Sequence, residues 1–292
     1  MDYMYLKALA KINLGLDVIR RREDGYHEVK MVMQTIKMYD RINIKKQEKT
    51  EILVSTNLPY LPSNENNLVY KAAKLLMDEF DLKQGVDINL FKYIPVAAGM
   101  AGGSSDAAAV LYGMNRMFRL GLSMEQLMER GVKIGADVPY CLMRGTALAE
   151  GIGEKLTRLS GCPSCYIVIA KPPIGVSTKF VYENLHANTL QYHPDIDGLI
   201  QSMEENDLQG MCDKMGNVLE TVTIPAYPVI DEIKNVMNEK GALGAMMSGS
   251  GPTVFGIFSN LERAQDAYYT LKSGVLANQV YLTEPYNVPR KE

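Results

Sequence analysis

The sequence predicts an α+β protein built as two domains. Three observations predict it. The first 55 residues read as strand, a firm amphipathic helix follows a run of glycine, alanine and serine, and the second half alternates strands with helices. A compact domain usually holds ~100–200 residues, so a chain of 292 suggests one large domain or two ordinary ones. A loosening of the pattern places the boundary near 158–163, which gives domains of 1–160 and 161–292.

Near the start, Ile12, Leu14, Leu16 and Val18 alternate with Lys11, Asn13, Gly15 and Asp17, the period of a strand. One face is apolar, and Lys11 and Asn13 share the other. Glu23, Asp24 and Gly25 form a turn, and VKMVMQTIKMY and RINI continue the strands. Residues 58–67 (LPYLPSNENN) read as loop. Leu68, Ala72, Leu75, Leu76 and Phe80 recur at helical spacing, and VDINLFKYIPV reads as a strand. Ala107, Val110, Leu111, Met114, Met117 and Phe118 then line one helix face. Ser123 and Gln126 form a capping box for MEQLMERGV. The segment CYIVIA is a buried strand and KPPIGVST a turn. Helices are expected over 196–218 and 227–240, and a glycine-rich turn over 241–251. Strand TVFGIF, a helix near 261–273 and strand QVYLTEP complete the chain.

Composition excludes several functions. Hydrophobic residues at 47% and charged residues at 22% describe a globular chain. The 31 Lys and Arg against 34 Asp and Glu leave a net charge of −3, which argues against a general nucleic-acid binder. No apolar run approaches the ~18 residues of a membrane span. The opening MDYMYLKALAK lacks the apolar block of a secretory signal, so a soluble cytoplasmic protein is expected. Four cysteines imply no disulfide framework. Cys162 and Cys165 (CPSC) could be a redox pair or half a zinc site, or two small apolar residues entering a strand. The second reading is preferred, because no other CxxC exists. His27, His186 and His193 are the only histidines, too few for a His-rich metal cluster.

The strongest chemical signal is PVAAGMAGGSSD, which precedes the firm helix. A helix N-terminus offers unpaired amides and the positive end of the dipole, and glycines let an anion approach them. Ser104 and Ser105 can add hydroxyl donors. The competing reading is a tight turn capped by Ser104, Ser105 or Asp106. A cap needs one such residue and not a long small-residue run, so a phosphate cradle is preferred. It is not a Walker A loop, since the dipeptide Gly-Lys occurs nowhere. The second glycine loop, SGSGPTVFGIF, suits a packing turn or a ligand loop equally. In GADVPY, a lone Asp137 in a turn is usually a cap. A single Lys11 on a polar strand face is normally solvated, although ALAKINLGL is otherwise apolar.

Together AKINLGLDV, PVAAGMAGGSSDAA, GADVPY and GAMMSGSGPTVF resemble, in order and spacing, the motifs of the GHMP kinases. The resemblance runs from about residue 7 to residue 258. It implies a two-domain fold: an N-terminal domain like ribosomal protein S5 domain 2, a ferredoxin-like C-terminal domain, and ligands in the cleft between them. It implies that Lys11 and Asp137 are a catalytic pair. Pro95, Val96, Ala97, Ala98, Gly99, Met100, Ala101, Gly102, Gly103, Ser104 and Ser105 fall on an ATP-phosphate loop, and Mg²⁺ is expected on the phosphates with unknown protein ligands. The stretch KINLGLDVIRRREDGYHEV narrows the resemblance to members whose alcohol substrate carries a cytidine diphosphate group. On that reading Asn13, Tyr26, His27, Thr178 and Tyr182 hold the substrate, Asp137 takes the hydroxyl proton, and Lys11 stabilises developing charge. The expected partner is therefore a small molecule, with no nucleic acid or membrane, for a monomer or weak homodimer. The rivals are a GHMP kinase for homoserine or mevalonate-type acids and a non-catalytic S5-like binding module.

Overall fold

The computed structural model describes residues 2–289. In chain order its elements are β1 (Tyr3–Arg21), β2 (His27–Gln47), β3 (Ile52–Thr56), α1 (Leu68–Glu79), β4 (Gly85–Phe91), α2 (Gly102–Phe118), α3 (Met124–Val132), α4 (Val138–Met143), β5 (Thr146–Gly151), β6 (Lys155–Arg158) and β7 (Tyr166–Lys171). Then come α5 (Thr178–Asn184), α6 (Ile196–Glu204), α7 (Leu208–Asp213), β8 (Gly216–Asn217), α8 (Glu220–Ala226), α9 (Val229–Glu239), β9 (Gly244–Met247), β10 (Val254–Phe258), α10 (Leu261–Ser273) and β11 (Gln279–Thr283). These elements form two compact units. One holds the described residues up to Ala10, with Met38–Val96 and Ala101–Met143. The other holds Lys11–Lys37, Ala97–Met100 and the described residues from Arg144 onward. The long strands β1 and β2 contribute to both.

In the first unit the second half of β2 pairs antiparallel with β4, from Arg41 opposite Phe91 to Gln47 opposite Gly85. Strand β3 adds to β4 in parallel. Val86, Ile88 and Leu90 of β4 and Ile42 and Ile44 of β2 are buried together with the apolar faces of α1 and α2. Asn67 caps α1 by accepting from the Val69 amide at 3.0 Å. The expected capping box is present: Ser123 accepts from the Gln126 amide, and Gln126 accepts from the Ser123 amide. Helix α2 must lie close to its neighbours at Gly113, where a Cβ would stand 2.6 Å from Leu6 Cδ1 and 2.9 Å from Ile44 Cδ1.

In the second unit the first half of β2 pairs antiparallel with β5, and β5 pairs with β6. Strand β1 pairs in parallel with the two-residue β8. A separate antiparallel sheet runs β11-β7-β10-β9. With α9 and α10 it reads β–α–β–β–α–β, the ferredoxin-like order anticipated for this half.

The mixed fold agrees with the sequence reading, and several details correct it. Residues 146–158 form β5 and β6 where the pattern only loosened, and β9 lies inside the expected glycine-rich turn. Strand β4 ends at Phe91, short of residues 92–96. Residues 196–218 break into α6, α7 and β8. Among the described residues no helix is long and apolar enough to cross a membrane. The four cysteines are buried and not joined by disulfides. A hydrogen bond with Cys165, reinforced by burial, pushes the Cys162 thiol well up, and burial pushes Cys212 to about 12.

Gly113→Val should drive two methyls into Leu6 and Ile44 and destabilise the fold by about 1–3 kcal/mol. A thermal melt should show the midpoint lowered by several degrees. An unchanged midpoint would mean that α2 is not held against the sheet at Gly113.

Candidate active site

The two compact units each hold part of the residue set that the sequence singles out. Pro95, Val96, Ala101, Gly102, Gly103, Ser104, Ser105 and Asp137 are in the first unit. Lys11, Asn13, Tyr26, His27, Ala97, Ala98, Gly99, Met100, Thr178 and Tyr182 are in the second.

In the first unit the small-residue run leads directly into α2. Its N-cap, Ala101, is left-handed (φ 54°), with no side-chain cap and no acid in the first turn. The first backbone bond of the helix is from Ser105 N to Ala101 O at 2.8 Å. The amides of Gly102, Gly103 and Ser104 precede it, and such amides at the positive end of a helix favour an anion. The capped-turn reading therefore does not describe this helix. Ser105 faces inward, 3% exposed, and its Oγ donates to Leu9 O at 2.6 Å. Ser104 remains half-exposed at the turn. Asp106 is not a cap either: it is buried against Lys92. Asp137 directly precedes α4, and its carbonyl accepts from the Cys141 amide at 3.0 Å. It thus occupies a helix start, with Gly135 and Gly131 packed on Val138 just behind it.

In the second unit Lys11 is not a solvated strand lysine. It is 5% exposed, because β1 is buried on both faces from Ala10 to Val18. Its ammonium donates to Asn13 Oδ1 at 2.7 Å, and its amide donates to Met100 O at 3.2 Å. The Asn13 amide in turn points at Met31 Sδ, 3.3 Å away. Lys11, Asn13 and the Ala97–Met100 part of the loop are thus one assembly.

The second glycine loop completes that assembly. Gly99 has φ 70° and passes so close that a Cβ would sit 2.0 Å from Ser248 O. Only glycine fits there. Ser248 Oγ donates to Gly99 O at 3.0 Å. Asn217 of β8 donates to Met247 O and Gly249 O at 2.9 and 2.8 Å. Ser250 Oγ lies 2.8 Å from Thr178 Oγ1, at the start of α5. This loop packs closely on the first one. Sequence reasoning marked the loop that holds Ser248 and Ser250 but missed Asn217, since the Gly-Asn pair at 216–217 carries no spacing that marks it.

Further along the same unit, His27 and Tyr182 stack at 5.1 Å with a 39° tilt. Tyr26 beside them is 62% exposed, and its amide donates to Asp24 Oδ1. His27 Nε2 is buried with no hydrogen-bond partner among the described residues. Burial, then the Arg21 cation, holds the His27 imidazole below its ordinary value.

Comparison with known proteins gives the kinship of the whole chain. The model of the GHMP kinases N terminal domain matches residues 67–145, and that of the GHMP kinases C terminal matches residues 193–275. A 4-diphosphocytidyl-2-C-methyl-D-erythritol kinase of Lachnospira eligens is 59% identical, covering 98% of this chain and 99% of its own. One of Lachnoclostridium phytofermentans is 56% identical, covering 97% of each. A crystal structure of 4-(cytidine 5'-diphospho)-2C-methyl-D-erythritol kinase is similar at TM-score 0.84 and 30% identity, covering 97% of this chain and 99% of its own. A homoserine kinase from Cytophaga hutchinsonii shares the fold at TM-score 0.74 and 20% identity, covering 97% and 95%.

The fold favours neutral His27, so protonation works against it as pH falls through the unfolded value of about 6.5. In ¹H–¹³C NMR the His27 ring should titrate with a midpoint below about 6.5. A midpoint at or above that value would mean that the ring is neither desolvated nor repelled by Arg21.

Proposed function

The chain belongs to the GHMP kinases, and from that premise we propose that it uses ATP to phosphorylate the 2-hydroxyl of 4-diphosphocytidyl-2-C-methyl-D-erythritol. The observation that carries this reading is its near-full-length similarity to curated relatives that bear the name of that activity. The acceptor is a tertiary alcohol in the non-mevalonate route to isoprenoid precursors. With a small polar molecule as acceptor and a net charge of −3, we assign no nucleic-acid or membrane partner, and we take the protein as a cytoplasmic monomer or weak homodimer. Along the chain we assign residues 1–160 and 161–292 as the N- and C-terminal domains, each containing one family-model match.

A crowded alcohol is a poor nucleophile, so positioning and charge stabilisation must supply most of the acceleration. Asp137, at the head of α4, accepts the hydroxyl proton. Lys11 carries its ammonium on the Asn13 oxygen, from which it stabilises negative charge on the attacking oxygen and the transferred group. Residues 95–105 bind the triphosphate. The uncapped amides of Gly102, Gly103 and Ser104 fit an anion, and Ser104 has the hydroxyl least committed to the fold. ATP supplies the phosphoryl group.

Mg²⁺ bound with the nucleotide would neutralise charge on its phosphates. Among the described residues no group of three or more His, Cys, Asp or Glu side chains could hold it, so no step is assigned to a protein-bound metal. Tyr26, His27 and Tyr182 offer flat rings for the cytosine, and the orphaned His27 Nε2 fits the edge of a base. Stacking of a buried base contributes about 1–3 kcal/mol. Asn13 and Thr178 complete the acceptor contacts.

A coupled ADP-release assay should show turnover with the cytidyl substrate and little with homoserine or mevalonate. Turnover favouring either small acid would replace the substrate assignment. Asp137→Asn keeps the volume and removes the base. It should lower kcat by on the order of 10²-fold or more, with the KM for ATP nearly unchanged. Near-normal turnover would remove Asp137 from the chemistry. Lys11→Met should also lower kcat, and an effect confined to KM would reduce Lys11 to a binding role.

A further inference from the structure

A buried charge cluster in the first unit has no part in the chemistry above. Lys92 follows β4 and is 7% exposed. Its backbone is clamped by Asn57, whose Oδ1 accepts from the Lys92 amide at 2.7 Å while its Nδ2 donates to the Lys92 carbonyl at 3.1 Å. Its ammonium donates to Asp40 Oδ2 on β2 and to Asp106 Oδ2 on α2, the latter at 2.6 Å. Asp40 Oδ1 also accepts from the amides of Tyr93 and Ile94, at 2.5 and 2.8 Å. Tyr93 and Ile94 lead into the small-residue loop, and Asp106 lies on the helix that leaves it. One ammonium therefore ties the entrance of the loop to its exit. It also lies directly beneath the first residue of α2, since a Cβ on Gly102 would stand 3.1 Å from Lys92 Nζ.

The two carboxylates are not equivalent. Asp40 is satisfied as an anion, with an ammonium and two amides on its oxygens. Asp106 takes the ammonium on Oδ2, and its Oδ1 is buried with no hydrogen-bond partner among the described residues. An ionised oxygen left dry and undonated costs far more than a neutral acid in the same place. Burial pushes the Asp106 carboxyl well up. Lys92 opposes this without offsetting it, while the Asp40 charge and hydrogen bond add to the rise. At Lys92, burial works downward, but the two acids outweigh it and the ammonium is held above its ordinary value. The charged groups that face Asp106 are thus Lys92 and Asp40.

We propose that Lys92, held by Asp40 and Asp106, is a positioning residue that fixes the amides of the α2 first turn for the nucleotide phosphates. Asp106 is the neutral member. The cluster then carries one positive and one negative charge, and no net negative charge lies under the anion that α2 receives. This inference rests on residues 95–105 being the phosphate loop.

The test is steady-state kinetics with ATP and the cytidyl alcohol, with a melt of each variant. Lys92→Met should raise the KM for ATP by on the order of tenfold and change kcat less. Asp106→Ala should do the same. Asp106→Asn, a neutral group that keeps both hydrogen-bonding ends, should recover most of the loss. An unchanged KM in folded Lys92→Met, or an Asp106→Asn no better than Asp106→Ala, overturns the proposal. Should Lys92→Met not fold, the Asp106 pair decides alone, because a mere packing role predicts melting changes without a KM split. Absence of ATP turnover in the parent enzyme would instead strike the phosphate-loop reading itself.

Discussion

A lysine on a strand buried along both faces has to be held by its own neighbours, and the 2.7 Å reach from Lys11 to Asn13 does this. An ammonium removed from water is costly unless a donor–acceptor match replaces the lost hydration. Two residues along a strand is the shortest spacing that returns a side chain to the same face, so the pair is set by strand geometry alone. The Lys11 amide then fixes Met100. The position of the cation and the course of the glycine loop are therefore set by one residue, and everything assigned to the site depends on that coincidence.

The second glycine turn serves as the floor for the first. Close passage of Gly99 over the Ser248 carbonyl leaves no room for a side chain at Gly99, and Ser248 and Asn217 fasten the turn from either side. Small residues here serve two ends, since on one stretch they leave the backbone open for the anion proposed above and on the next they admit another backbone. That explains why a long run was needed where a helix cap requires a single residue.

Much of this was legible in the residues. Period-two and helical spacings gave β1, β2, α1 and α2, and the motif set gave the family. The misses have physical causes. Strands β5 and β6 are only six and four residues long, and β9 is four residues among glycines, so none carries enough alternation to register. The usual solvated state of a strand lysine does not apply to Lys11, and only its apolar neighbours hinted at this, because a local pattern cannot report what covers the other face of a strand. The buried cluster left a trace that went unread. Asp40 has the parity of Met38, Ile42 and Ile44, and Lys92 that of Val86, Ile88 and Leu90, all of them buried. A charge at an inward position of a strand has to find a counter-charge, which here is 52 residues away in the chain.

The two longest strands each begin in one compact unit and end in the other, so neither unit is a continuous stretch of chain. A lineage could not acquire or discard either unit through a single recombination breakpoint. Nor could a ribosome finish one before beginning the other, because residues 11–37, although β1 and β2 neighbour each other, must wait for β5 and β8, made far later, to complete their sheet. The chain is thus committed to maturing as a whole.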